Sequence, residues 1–227
     1  MSEYLITCPS CSGKNPLFRS VCSKCGTIIR DRVPSIDFWK ILSLLIENPK
    51  NAFIRIIQAE QKNFATFVLI ASLFKIYILS TIIAGVTSAG RFSLFIFFIL
   101  SSASILVIIL TGFFIKIMVH KQLVEFRIKD YYAGISFSFM PQLIGLFIVF
   151  VMEFIVFGEQ LFTFNPSPFL IKKNFAYLFL MLEFGIIVWN INLTSKLFYI
   201  YFGKIFIVHF YSLIVLGLIY LTMNIFL

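Results

Sequence analysis

Polar and apolar positions divide the chain into three zones. The first 36 residues are mixed and mostly polar. From Asp37 to Lys62 apolar residues recur at helical spacing, and from Asn63 onward long apolar runs follow one another with short polar breaks. Five runs reach the ~20 residues that a helix needs to cross a bilayer: 63–85, 92–119, 131–157, 175–195 and 205–227.

In the middle zone, Asp37 is placed to cap a helix whose Phe38, Trp39, Ile41, Leu42, Leu44 and Leu45 form a broad apolar face. Asn48-Pro49 interrupts it, and Pro49 suits the first turn of a second helix. There Phe53, Ile56 and Ile57 share a face that Lys50, Arg55 and Glu60 avoid. Neither helix is long enough to span. Lying in the headgroup region they would use Trp39, Lys40 and Arg55 as interface anchors; docking under the bundle as a collar is an equal alternative. The pattern predicts an all-α polytopic membrane protein, with five transmembrane helices preceded by interfacial amphipathic helices and a small N-terminal module. Residues 1–30 form that module, 31–36 a linker and 37–227 the membrane domain.

Composition excludes an ordinary soluble domain. Only 13% of residues are charged and 60% are hydrophobic, with 30 phenylalanines, whereas a soluble fold carries about a quarter charged residues to cover its surface.

All four cysteines, Cys8, Cys11, Cys22 and Cys25, lie in the polar N-terminal zone, as C-x2-C-x10-C-x2-C. Each C-x2-C turns two sulfurs onto one ion, and two such knuckles complete a four-sulfur site for one structural zinc. Pro9 tightens the first knuckle, Gly26 can take the positive φ of the second, and a hairpin around Asn15-Pro16 would join them. Two disulfides are the alternative. Leu5, Leu17, Phe18, Val21 and Ile28 are nearly all the core such a zinc ribbon offers, so metal would supply most of its folding energy. Four protein ligands leave no open position for catalysis.

Charge sets an expected orientation. Lys14, Arg19, Lys24, Arg30, Arg32, Lys40, Lys50, Arg55 and Lys62 precede the first run; Lys116 stands at the end of the second, with Lys121, Arg127 and Lys129 after it; Lys196 and Lys204 follow the fourth. Only Arg91, Lys172 and Lys173 fall on the other side. Positive loops stay cytoplasmic, which puts the N-terminus inside and the C-terminus outside. Reduced, metal-binding cysteines suit the same side, and the polar start predicts no signal peptide. The net charge of +9 is thereby assigned to loops and anionic headgroups, and no nucleic-acid partner is expected.

Ionisable groups inside spans are costly and mark function or pairing. Lys75 in the first run and Glu183 in the fourth come to similar depth, which predicts an intramembrane ion pair; a relay is the alternative. Glu153 is expected to snorkel at the outer end of its span. Glu183, Asn190 and Thr194 share one helix face, as do Ser138, Gln142 and Gly145, with a kink at Pro141. His120 and His209 are isolated. No phosphate loop, H-E-x-x-H or membrane-facing Asp pair is present, so no enzyme is expected.

LSLLIENPKNAFIRII ahead of the first run, DYYAGISFSFMPQLIGL in the third and WNINLTSKLFYIYFGKIFIVHFY across the last pair together resemble the Yip family of five-span membrane proteins. Its eukaryotic members interact with Rab-type GTPases. The likeness covers residues 37–227. A zinc ribbon ahead of such a domain resembles prokaryotic members and implies the cell inner membrane. No residue here matches a GTPase contact, so Rab binding is not implied. The Arv type of lipid-homeostasis protein also carries a four-cysteine site before its spans, with its pairs more widely separated. The resulting expectation is a non-enzymatic scaffold or adaptor in the lipid bilayer, as a homo- or hetero-oligomer, whose ribbon recruits a cytoplasmic protein partner. A lipid or small-solute transporter built around Lys75 and Glu183 is the second reading.

Overall fold

The structure, a computed structural model, describes residues 5–16, 19–30, 35–86, 93–119, 126–162, 168–203 and 205–224. Leu17, Phe18, Arg32, Arg91, His120, Lys121 and Lys204 lie outside them.

The N-terminal module holds two antiparallel strands, β1 (Leu5–Thr7) and β2 (Lys14–Pro16), with Leu5 opposite Pro16. Asn15-Pro16 therefore sits in a strand and not in the connecting turn. The turn is the first cysteine knuckle itself, because Cys8 N–H donates to Gly13 O at 2.9 Å and closes the hairpin there.

Two short helices follow. The Asp37 carboxylate accepts the Lys40 N–H at 3.2 Å and starts α1 (Phe38–Glu47). Asn48 then serves both neighbours: its N–H ends α1 on Leu44 O, and its side chain accepts the Asn51 N–H at 3.2 Å to cap α2 (Pro49–Gln58). Ala52, Phe53 and Ile56 of α2, with Ile41 and Leu45 of α1, are buried in the main core. Trp39 remains 75% exposed, and Lys40 and Arg55 are exposed as well.

Among the described residues eight helices follow α1 and α2: α3 (Ala65–Val86), α4 (Leu94–Val119), α5 (Ile128–Ser138), α6 (Met140–Phe147), α7 (Val149–Phe157), α8 (Pro168–Ile171), α9 (Lys173–Phe202) and α10 (Ile205–Asn224), with a 3-10 turn at Gly158–Phe162. Among the described residues five helical stretches are long and apolar enough to cross a membrane: Ala65–Ile83, Leu94–Ile117, Ile128–Phe162, Lys173–Phe202 and Ile207–Asn224. The first is the hub. Val68, Leu69, Leu73, Ile76 and Tyr77 of α3 are fully buried, and α3 packs on α4, α5, α6 and α10. By contrast α4 and α9 turn Phe95, Phe98, Ile117, Met181 and Phe184 outward, as side chains do when acyl tails are their solvent.

The third stretch is broken twice, not merely kinked. Pro141 lacks an N–H and its ring excludes the carbonyl four residues back, so α5 ends at Ser138 and α6 begins at Met140. A second break falls at Ile148, where neither proline nor glycine stands. In lipid every freed backbone group needs a partner, and the bundle supplies them. Asn190 Nδ2 donates to Ser138 O at 3.0 Å, while Phe139 O accepts the Gln142 N–H at 2.9 Å and a further bond from Ser72 Oγ at 3.0 Å. The polar stripe of α9 thus repairs the break in its neighbour.

The fourth stretch runs to Phe202 and stops at the left-handed Gly203 (φ 66°), not near residue 195. The polar residues Thr194 and Ser195 end the apolar run in the sequence. In the fold both are buried and hydrogen-bonded to neighbours, so nothing stops the helix there.

Candidate metal centre and buried ion triad

The two knuckles are built alike. In the first, Ser12 N–H donates to Cys8 O and Cys8 N–H to Gly13 O; in the second, Gly26 N–H donates to Cys22 O and Cys22 N–H to Thr27 O. Each repeats the same bonds four and five residues after its leading cysteine. Each needs a left-handed residue at the fourth place: Gly26 at φ 71° and Ser12 at φ 53°. Glycine meets that demand without steric cost and serine does not.

This turns four free thiols onto one point. The Sγ atoms all lie within 4.8 Å of one another, with Cys8–Cys25 and Cys11–Cys22 each at 3.6 Å. A tetrahedral ion with sulfur at about 2.3 Å needs sulfurs roughly 3.8 Å apart, so the donor set fits a metal ion. Cys8 and Cys22 are buried, while Cys11 and Cys25 face outward.

Asn15 is the support that sequence reading missed. It is fully buried, donates to Gly13 O at 2.9 Å and to Cys22 Sγ at 3.4 Å, and accepts from Ser23 N–H and Oγ. It ties the first knuckle to the second. Backbone N–H groups of Cys25 and Lys24, helped by Asn15, bring the Cys22 thiol down to about 6. Hydrogen bonds from Thr27 lower Cys25. At Cys11 the Gly13 backbone favours the thiolate, but the neighbouring sulfurs, Cys25 foremost, with some loss of hydration outweigh it and push the thiol up to about 12. Four crowded sulfurs do not all ionise unaided; a cation removes that repulsion.

Inside the bundle, Lys75 on α3 meets Glu183 on α9 in direct contact, and Glu153 on α7 with Oε2 at 3.4 Å. All three are buried, Lys75 completely. The expected snorkelling of Glu153 is corrected: it is 4% exposed and turns inward, because the lysine offers a partner that lipid does not. The Phe150 ring lies 5.9 Å from the ammonium. A Cβ at Gly145 would meet Ile186 Cδ1 of α9 at 2.8 Å, and Lys75 Cε only at an ordinary 3.7 Å, so the glycine lets α6 approach α9 beside the lysine. One ammonium thus faces two carboxyl groups. Nearby, Gln142 Nε2 donates to the Tyr220 hydroxyl at 2.6 Å. Among the described residues Glu183 Oε2, Gln142 Oε1 and Asn190 Oδ1 are buried acceptors without a donor.

A second charged cluster joins the segment just after α2 to the start of α5. Arg127 reaches Glu60 at 2.5 Å and Asp130 at 2.7 Å, Lys62 reaches Asp130 at 2.8 Å, and Lys129 contacts Glu60. The Lys129 hydrogen bond, helped by Arg127, holds the Glu60 carboxyl below its ordinary range, while burial lowers Lys62. In the sequence Arg127 and Lys129 count only as loop charges, Lys62 as a charge before the first run, and Glu60 as a residue off the apolar face of the second helix. The interface anchors Trp39, Lys40 and Arg55 belong to neither cluster and stand on the surface of α1 and α2.

No family model, curated protein or solved structure matches the chain.

Proposed function

We propose that the protein is a non-enzymatic membrane scaffold or adaptor, with a cytoplasmic zinc ribbon as the handle for a protein partner and the five-span bundle as its membrane base. The convergence of four thiols in a module with almost no apolar core carries this reading: Val21 and Ile28 are exposed, so metal and not burial would hold the knob rigid. Zinc suits a four-sulfur set with no open position, which is structural. The charge bias of the loops supports an inside N-terminus, and the order of pre-membrane helices and five spans supports a Yip-type membrane domain.

The test is gentle solubilisation of native membranes with the wild-type chain and with Cys11→Ser/Cys22→Ser. The expected result is a near-stoichiometric protein that co-purifies with wild type and is lost with the variant, while the bundle unfolds at an unchanged temperature. Retention of the same partner by both forms contradicts the handle.

A transporter is the second reading, favoured by one observation: Lys75 is shared by two glutamates, next to unpaired acceptors on Glu183 and Gln142. It expects solute flux in proteoliposomes that Glu153→Gln abolishes. Equal flux in wild-type and protein-free vesicles removes it.

A further inference from the structure

An open cavity of about 370 Å³ lies where the α1–α2 corner meets the end of α9 and the start of α10. Glu47, Asn48, Pro49 and Lys50 line it from one side, Ser195, Lys196 and Tyr199 from α9, and Val208 and His209 from α10. Cationic and ionisable groups from three separate elements therefore converge: Lys50, Lys196 and His209, against the single carboxylate of Glu47. Lys50 also stands in the first turn of α2, where the helix end is itself electropositive and cations are disfavoured.

The histidine is held in place. Buried Ser195 bonds His209 Nδ1 at 3.0 Å and Ser212 Oγ at 2.9 Å, so the ring is fixed from behind through one nitrogen. Its other nitrogen is then available to a ligand in the cavity. Leu213, four residues on and on the same face of α10, is exposed, as is Ile46 beside Glu47. The basic hollow therefore adjoins apolar surface suited to acyl chains.

We infer that this cavity binds the phosphate of an anionic phospholipid, with Lys50 and Lys196 on the phosphate oxygens, His209 as a further donor and the tails lying along α10. The volume is in the range of a small-ligand site, about 300–1,000 Å³. Charge-assisted bonds from two side chains to one phosphate give it selectivity over zwitterionic lipid, whose choline repels the same lysines. The inference takes from the proposed function only that the chain lies in a bilayer; loss of the protein partner would leave it standing.

The experiment is native mass spectrometry of the full chain in detergent, titrated with dioleoyl phosphatidylglycerol or dioleoyl phosphatidylcholine. One phosphatidylglycerol is expected to stay bound per chain, with Lys196→Gln and Lys50→Gln each weakening it about tenfold, as loss of a charge-assisted bond does. His209→Gln is expected to weaken it less. Both lysines are exposed, so the variants should keep the wild-type unfolding temperature, which is read in parallel. Equal retention of phosphatidylcholine, or lysine variants that bind like wild type, overturns the site. Displacement of the lipid by millimolar inorganic phosphate overturns the lipid as its source and leaves a site for free phosphate.

Discussion

At the scale of single residues, strain and charge decide most. Ser12 occupies a left-handed conformation that Gly26 occupies at no steric cost in the twin knuckle. Ser12→Gly is therefore expected to tighten metal binding, worth about 0.5–1 kcal/mol, and Gly26→Ala to weaken it by at least that much. Competition with a chelator of known affinity measures both. Lys75 poses the opposite problem. Lys75→Met would strand two buried carboxyl groups and is expected to cost about 3–5 kcal/mol, whereas the triple change with Glu153→Gln and Glu183→Gln should recover most of the loss. Thermal unfolding of the purified variants in detergent checks the pair. A triple variant as unstable as the single would show that the packing of the buried lysine stem matters more than its charge.

At the scale of elements, the broken third span depends on its neighbours. Asn190→Ala frees the Ser138 carbonyl inside the bundle and is expected to cost about 1–3 kcal/mol, while Asn190→Asp, which keeps the shape and loses the donor, should not rescue it. The join between α2 and α5 is graded by burial. Asp130 is nearly inaccessible and serves two cations, so Asp130→Asn should destabilise by about 3 kcal/mol or more; Glu60, over a third exposed, should cost less than about 1 kcal/mol as Glu60→Gln. The Glu60 carboxyl is held below its unfolded value. Its contribution is therefore present above pH ~4.5 and is lost as pH falls through the lower folded value. Unfolding of wild type and Glu60→Gln should accordingly converge at low pH and differ at neutral pH. Hydrogen exchange over residues 49–58 reports whether α2 detaches first.

At the scale of the whole molecule, the parts legible in the sequence were those written in local spacing. Runs of apolar residues located five helices, and paired C-x2-C located the sulfur cluster, because both signals depend only on neighbours along the chain. What stayed hidden depended on contacts between distant segments. Glu153 reads as a snorkelling residue until Lys75 is brought beside it, and Arg127 and Lys129 read as loop charges until α2 packs on α5. Thr194-Ser195 reads as a helix end until burial gives those hydroxyls partners. Asn15 sits beside a proline and reads as a turn, but its side chain spans the two knuckles.

The most direct test of the account is the intact mass, under native conditions, of the full chain expressed without added metal chelators. The account predicts one zinc per chain, absent from Cys22→Ser. A metal-free chain lighter by four hydrogens, as two disulfides would make it, or one that keeps its zinc in Cys22→Ser, would contradict it.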